Sequence, residues 1–429
     1  MRTVASIVGG QPVQGSPGGT VSIRNPARLD EVVAEAGLGD ATTFVDACRA
    51  ARAAQRAWAH VPAPVRGRAI QQLGRLVEAN LETLAAMITR EIGKPIAESR
   101  GEVQEAVDTC NFFVSEGRRL YGMTVPSELP DKQLFTFRAP IGVAAIVTAG
   151  NFPVAVPSWY LVPALLCGNA VVWKPAEYTP TVAEAFAQLF LHAGLPDGVF
   201  NLVLADGPTT FEGLERALGE GLLDKVGFTG STDVGRRIGE LCGRHLQSAC
   251  LELGGKNPLV VMPDADLDLA VEGSLFSGFG TAGQRCTSLG TAIVHEAVHD
   301  DFLARFAKAV EEAPIGDPTQ DVLYGPMISE RFCDRFVDEW LGLVRPHHTL
   351  HGSSGTGRIR RANPREGFVG DPAAGLYVHP TIVDGVRLED DLARTETFGP
   401  LVGVASFGTF DEAMALANGH GYGLSSSIY

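Results

Sequence analysis

No long hydrophobic run occurs in this chain. Its longest apolar stretches, such as Ile141 to Val147, are far too short to cross a bilayer. The N-terminal residues Met1 to Gly10 lack the extended apolar core of a secretory signal. Basic charge is scarce too: 35 Lys and Arg stand against 50 Asp and Glu, a formal net charge of −15. A nucleic-acid binder usually carries a cationic footprint, so neither nucleic acid nor a membrane is an expected partner. The seven cysteines are odd in number, scattered in spacing and free of any C-x-x-C pair. Hence no metal site and no dithiol redox motif is expected, and a reduced, cytoplasmic location fits best. Internal repeats and low-complexity tracts are likewise missing.

What remains is ordinary globular material. The 429 residues suffice for about two or three domains at roughly 150 residues each. Val21 to Val33 reads as a short β segment with turns. Helical spacing covers Ala41 to Ala59 behind a capping Asp40, then Arg66 to Glu91, then Ile96 to Arg119. Met123 to Arg138 alternates around a Pro-Asp turn and predicts a hairpin or extended arm. Residues 141 to 262 alternate strand and helix, the rhythm of a parallel sheet with crossover helices. Strands are expected at Ile141–Val147, Ala170–Trp173, Gly198–Val203, Lys225–Thr229 and Leu259–Met262. From Leu267 a second α/β set follows, including helices over Asp300–Glu312 and Glu330–Val344 and a strand over Leu401–Phe407. Gly352 to Gly375, rich in Gly, Pro and Arg, reads as a surface excursion.

Two segments carry reactive groups. Leu251-Glu-Leu-Gly-Gly-Lys-Asn-Pro258 offers Glu252, and Phe279-Gly-Thr-Ala-Gly-Gln-Arg-Cys-Thr-Ser288 offers Cys286, 34 positions later. Only the fold can make them neighbours. A thiol nucleophile and a separate carboxylate base are the minimum set for making and hydrolysing a thioester. An isolated cysteine is usually an inert buried thiol, and the other six fit that description. Gly280, Gly283, Thr287 and Ser288 instead leave room around Cys286. Glu252 stands between apolar residues at a strand end, where a carboxylate projects into a cleft. In Trp173-Lys-Pro-Ala-Glu177, Lys174 and Glu177 are spaced to grip one ribose, or to form an exposed ion pair. A carboxylate there binds the two hydroxyls of an adenosine ribose and repels a 2′-phosphate. Phe228-Thr-Gly-Ser-Thr-Asp-Val-Gly235 runs from strand to helix and offers N–H groups to a pyrophosphate. Asn151, in Thr148-Ala-Gly-Asn-Phe-Pro153, follows a strand and precedes a helix, a position where Asn caps or turns the chain.

In this order the segments resemble the signatures of the aldehyde dehydrogenase superfamily. Phe279, Gly283, Gln284 and Cys286 match F-x-x-x-G-Q-x-C. Gly230, Ser231, Val234 and Gly235 match G-S-T-x-V-G, and Glu396-Thr-Phe-Gly-Pro400 matches E-x-F-G-P. The resemblance implies an NAD-dependent oxidation of an aldehyde, with a semialdehyde as a candidate, to its carboxylic acid. Cys286 would be the nucleophile, Glu252 the general base, and Asn151 with the Cys286 N–H the oxyanion donors. Lys174, Glu177 and the 230–235 turn would hold the cofactor, Glu396 its nicotinamide ribose, and Phe398 would back the ring. A Rossmann-like NAD-binding domain over 1–121 and 141–253, an oligomerisation arm over 122–140 and a second α/β catalytic domain over 254–429 are implied, with a homodimer or homotetramer. Family members continue beyond Tyr429, so a shortened C-terminal end is expected.

Several stretches, among them Gly101-Glu-Val-Gln-Glu-Ala-Val-Asp108 and Gly280-Thr-Ala-Gly-Gln-Arg-Cys286, look like the α-aminoadipic-semialdehyde branch. There the residues matching Glu105 and Arg285 bind the substrate's ammonium and carboxylate. The other reading makes Glu105 a helix-surface charge and Arg285 a support of the thiol loop. Three departures stand out: Ala149-Gly150 where many relatives have Pro-Trp, Lys256 where that branch often has Asn, and Glu177, which that branch lacks. Two rival readings stay open, a CoA-acylating relative and a shortened, non-catalytic binding or structural protein. Glu252 argues against the first, because CoA-acylating enzymes usually lack that carboxylate.

Overall fold

The structure, a computed structural model, describes residues 2–353 and 355–429. The chain folds into two compact units. One holds the N-terminal stretch to Ile23 with Val33–Met87 and Arg100–Glu252; the other holds Arg24–Val32, Ile88–Ser99 and Leu253–Tyr429.

The first unit is built on a sheet whose order is Ser248–Glu252, Lys225–Thr229, Val143–Val147, Ala170–Lys174, Phe200–Leu202, Ile7–Val8, Gln11–Pro12. The first five are mutually parallel and the last two antiparallel. Val143–Val147 and Ala170–Lys174 are buried at every position, as strands covered on both faces must be. The edge strand Ser248–Glu252 alternates exposed and half-buried residues instead. Crossover helices Ala155–Leu166, Pro180–His192, Gly207–Gly219 and Thr232–Arg244 connect the five strands. Strand order reverses between Val143–Val147 and Lys225–Thr229, and sheets of this kind bind ligands at the carboxyl ends beside that reversal.

The expected helix over Arg66–Glu91 is two helices, Ala63–Ala79 and Leu81–Ile92. Asn80 parts them. Its N–H reaches the carbonyls of Leu76 and Val77, and its side-chain amide also donates to Leu76 O at 2.8 Å, closing the first helix. Residues 123–138 form the short antiparallel pair Thr124–Val125 with Leu134–Phe135. Met123, Leu129, Phe135 and Phe137 around it are exposed.

A second sheet orders the other unit: Thr349–His351, Thr381–Asp384, Leu401–Phe407, Leu289–His295, Asn257–Val261, Ser427–Ile428. All neighbours are parallel except the first pair. Phe279, Phe302, Phe306, Tyr324, Phe336 and Trp340 fill its core. The expected helix over Glu330–Val344 is α-helical only to Arg335; a wider π turn, Phe336–Trp340, follows, then a 3₁₀ turn. Phe336 and Trp340 are both buried in this turn, with their rings edge to face at 6.4 Å. Within the 355–375 stretch, buried Arg365 donates to the carbonyls of Val310, Glu311 and Ala313 and closes the helix His299–Glu312. Among the described residues, no helix is long and apolar enough to cross a membrane.

Candidate active site

The predicted site residues fall into two sets. In the first unit they sit where the parallel strands end. Asn151 lies four residues beyond the strand Val143–Val147 and is 7% exposed. Gly150 before it has no room for a side chain, because a Cβ would overlap Tyr178 and Ala176. The helix that follows, Ala155–Leu166, has no cap of its own. Buried Glu102 supplies one: its carboxylate accepts from the N–H groups of Val154 and Ala155 at 2.8 and 3.3 Å. A carboxylate at a helix N-terminus is favoured by unpaired N–H groups and by the dipole. Sequence reasoning misses Glu102, since it looks like any helical acid among Glu98, Glu102 and Glu105.

Lys174 ends the next strand with its side chain 5% exposed, and its ammonium lies 3.6 Å from the Glu177 carboxylate, which is 42% exposed. Burial pushes the Lys174 pKa down, opposed by Glu177 and Asp206. The turn after Lys225–Thr229 enters the helix Thr232–Arg244 through Ser231, whose hydroxyl accepts from Val234 N at 3.5 Å. Val234 is exposed and Gly235 buried. Gly230 N donates to Glu252 O at 3.1 Å, one step past the register pair Thr229 and Glu252. This turn and the Glu252 backbone are therefore one hydrogen-bonded piece, with the Glu252 side chain exposed. Glu105 is on the exposed face of the helix Ile96–Glu116.

The second unit carries Cys286, half-buried and beyond the helix Leu267–Phe279. Between them Thr281, Ala282 and Gly283 adopt φ of 51°, 56° and 66°. Two non-glycine residues in succession in the left-handed region are strained and need outside support. Glu98 supplies part of it, accepting from Thr281 N at 3.0 Å and from its hydroxyl at 2.5 Å. Gln284 donates through its amide to Thr281 O and accepts from Ile328 N at 3.0 Å. A Cβ at Gly283 would overlap the Gly399 carbonyl. Past the thiol, Asn257 donates to Cys286 O and Ser288 O at 2.8 Å each and accepts from Ser425 N. Arg285 forms an ion pair with Glu98, donates to the Thr281 hydroxyl and lies over the Phe276 ring at 4.5 Å.

Glu396 accepts from Gly255 N at 3.3 Å, and a side chain at Gly254 would collide with its carboxylate. Burial raises the Glu396 pKa, against the Gly255 bond and the charges of Arg335 and Lys256. Lys256 is 1% exposed, and burial pushes it down to about 7, against the Glu396 charge. Phe398 packs on Phe332 with centroids 5.8 Å apart.

His347, His348 and Asp390 converge in the manner of a metal-binding triad, with both Nε2 atoms 3.0–3.2 Å from Asp390 Oδ2. The hydrogen bonding gives another account. Arg345 N donates to His348 Nδ1 at 3.0 Å, so the His348 proton sits on Nε2 and is given to Asp390. Metal-bound imidazoles donate from their second nitrogen, and this one accepts. Burial alone would raise the Asp390 pKa; the Arg387 N–H and the two imidazoles outweigh it and lower it.

The chain is similar to known proteins over nearly its whole length. The profile of the "Aldehyde dehydrogenase family" matches residues 13–429. An α-ketoglutarate semialdehyde dehydrogenase of Haloferax volcanii is 38% identical, over 98% of this chain and 84% of its own length. An α-aminoadipic semialdehyde dehydrogenase of Bos taurus is 35% identical, over 97% of this chain and 74% of its own. The crystal structure of an NAD-dependent aldehyde dehydrogenase from Sinorhizobium meliloti superposes with a TM-score of 0.93 at 33% identity, covering 100% of this chain and 82% of that one. With a profile that spans nearly its whole length and relatives above 30% identity, the chain belongs to the aldehyde dehydrogenase family.

Proposed function

We propose that this enzyme oxidises an aldehyde carrying a carboxylate, an ω-semialdehyde, to the acid with NAD, and that Cys286 is its nucleophile. The observation that carries the reading is the turn before Cys286, where three consecutive left-handed residues are held by side chains from Glu98 and Gln284. Strain maintained in this way is typical of functional positions. The Cys286 thiolate adds to the aldehyde carbon, and the Asn151 amide with the Cys286 N–H holds the resulting oxyanion. NAD held by Lys174, Glu177 and the 230–235 turn would supply the acceptor for the hydride that leaves the thiohemiacetal carbon. The product on Cys286 is a thioester. Glu252 removes a proton from a water that attacks the thioester carbonyl, and the acid departs as the thiolate is restored.

The first unit suits a dinucleotide. Its strand order reverses beside the 229–231 turn, a helix N-terminus follows, and Lys174 and Glu177 stand at the neighbouring strand end. Glu177 supports NAD over NADP by repelling a 2′-phosphate. The relatives named for semialdehydes support a carboxylate-bearing substrate. Arg285 adds a donor, because its Nη1 has no partner among the described residues; Glu105, exposed on its helix, is the candidate for an ammonium group. The exposed apolar residues around 122–140 support a homo-oligomer, which light scattering would test by reporting a monomer or not. Seven cysteines in no disulfide among the described residues fit a reduced compartment such as the cytoplasm, testable by fractionation.

Cys286→Ala is expected to abolish aldehyde-dependent NADH formation; an unchanged rate would overturn the assignment. Semialdehydes should outperform uncharged aliphatic aldehydes in kcat/KM, and the reverse order would remove the substrate proposal. A CoA-dependent product would favour the acylating alternative instead.

A further inference from the structure

We infer that Glu98 is a positioning residue for the thiol: it fixes the 281–283 turn and Arg285 together, and so aims Cys286. This inference rests on the reading of Cys286 as the nucleophile. Glu98 lies in the first turn of the helix Ile96–Glu116, far from Cys286 in sequence. Its two carboxylate oxygens divide the task. Oε1 accepts from Thr281 N at 3.0 Å; Oε2 accepts from the Thr281 hydroxyl at 2.5 Å and pairs with Arg285 Nη2. The Glu98 and Arg285 side chains are 15% and 13% exposed, so the pair is shielded from water at its edges. Arg285 closes the loop by donating from Nε back to the Thr281 hydroxyl at 3.3 Å, with its guanidinium over Phe276.

The geometry is a small ring: Glu98, Thr281 and Arg285 each touch the other two. Thr281 opens the left-handed run, and Arg285 is bonded directly to Cys286 in the chain. The two ends of the strained turn are thus held by one carboxylate. Without it, Thr281 and Ala282 would relax toward ordinary φ, and the Cys286 backbone N–H and sulfur would move with them. Asn257 fixes only the segment beyond the thiol, through Cys286 O and Ser288 O. A displacement of about 1 Å in a reacting group is enough to lower a rate roughly 100-fold.

Glu98→Gln keeps the shape and an acceptor for Thr281 but loses the charge that holds Arg285; Glu98→Ala loses both. The test measures kcat and KM for an uncharged aldehyde and for an anionic semialdehyde. It also measures the iodoacetamide alkylation rate of Cys286 across pH, with Cys286→Ala as the control. For folded Glu98→Gln the expected result is a kcat lower by roughly 10- to 100-fold for both aldehydes, an unchanged KM for NAD, and slower alkylation with an altered pH profile. Glu98→Asp, which retains the charge, should recover part of the rate. If Glu98→Gln changes only the KM of the anionic aldehyde, Glu98 serves substrate binding through Arg285, and the positioning role is wrong. Unchanged kcat and alkylation would equally overturn it. Glu98→Gln decides the question even if Glu98→Ala does not fold. If Cys286→Ala itself retains activity, the fault lies instead with the underlying assignment of the nucleophile.

Discussion

The two turns proposed to carry the chemistry of this chain are built differently. The 229–234 turn relies on generic means: a strand end, a Ser cap and a helix N-terminus, with its backbone tied to the adjacent strand through Gly230 N and Glu252 O. The 280–286 turn has φ values near +50° to +66° at three successive residues and is held by Glu98, Gln284 and the close approach of Gly399. A turn that binds a flexible dinucleotide tolerates small shifts. A turn that aims a nucleophile does not, and the chain commits side chains from remote segments to holding it.

Paired glycine substitutions would test that contrast most sharply. Gly283→Ala places a Cβ at φ 66° against the Gly399 carbonyl, and kcat should fall by about 100-fold or more. Gly230→Ala meets mainly the movable Phe228 ring, and the KM for NAD should rise by about tenfold with a much smaller change in kcat. Equal effects of the two substitutions in steady-state kinetics would erase the distinction. Next in size is Glu177→Gln, which should improve kcat/KM for NADP relative to NAD by about tenfold. A ratio that does not move would show that Glu177 does not discriminate.

Lys256 sharpens the picture of the second unit. Its folded pKa is about 7 against 10.5 for an ordinary lysine, so the unfolded chain holds more protons between those values. Stability must then rise with pH across that window. Burial of the lysine is most unfavourable below pH 7, fades as pH climbs, and is gone above 10.5. Relative to Lys256→Met, the parent should therefore gain in Tm between about pH 7 and pH 10. A parallel pair of Tm curves would mean that Lys256 is not shifted. The smallest effect belongs to Ser231→Ala. Its cap bond is long, 3.5 Å, and thermal denaturation should report a loss of about 0.5 kcal/mol. A loss of about 2 kcal/mol or more would contradict the relaxed character of the first turn.

Much of this is legible in the sequence because it depends on local rules. Buried parallel strands read as apolar runs, and their ends coincide with Asn151, Lys174, the 230–231 turn and Glu252. Other features depend on tertiary partners. Asn80 splits a helical pattern through its own amide bond to Leu76 O, which periodicity does not register. The segments Arg24–Val32 and Ile88–Ser99, grouped by sequence with the first domain, cluster with the second unit. Gly93 lies tight against Pro26 and Pro326, and Ile96 N donates to Pro318 O, contacts that link remote positions. Glu98 and Glu102 look alike in sequence, yet one braces the thiol turn and the other caps a helix. The sequence allows Arg285 to be substrate ligand or loop support; its bonds to Glu98 and Thr281 realise the second, and its Nη1 leaves a donor for the first.

The most direct test is mass spectrometry of Glu252→Gln after mixing with aldehyde and NAD. A stalled base should leave an acyl group on the peptide containing Cys286, formed with one burst of NADH and cleared slowly. Rapid turnover with no acylated peptide, or acylation at a different cysteine, would contradict the division of roles between that sulfur and that carboxylate.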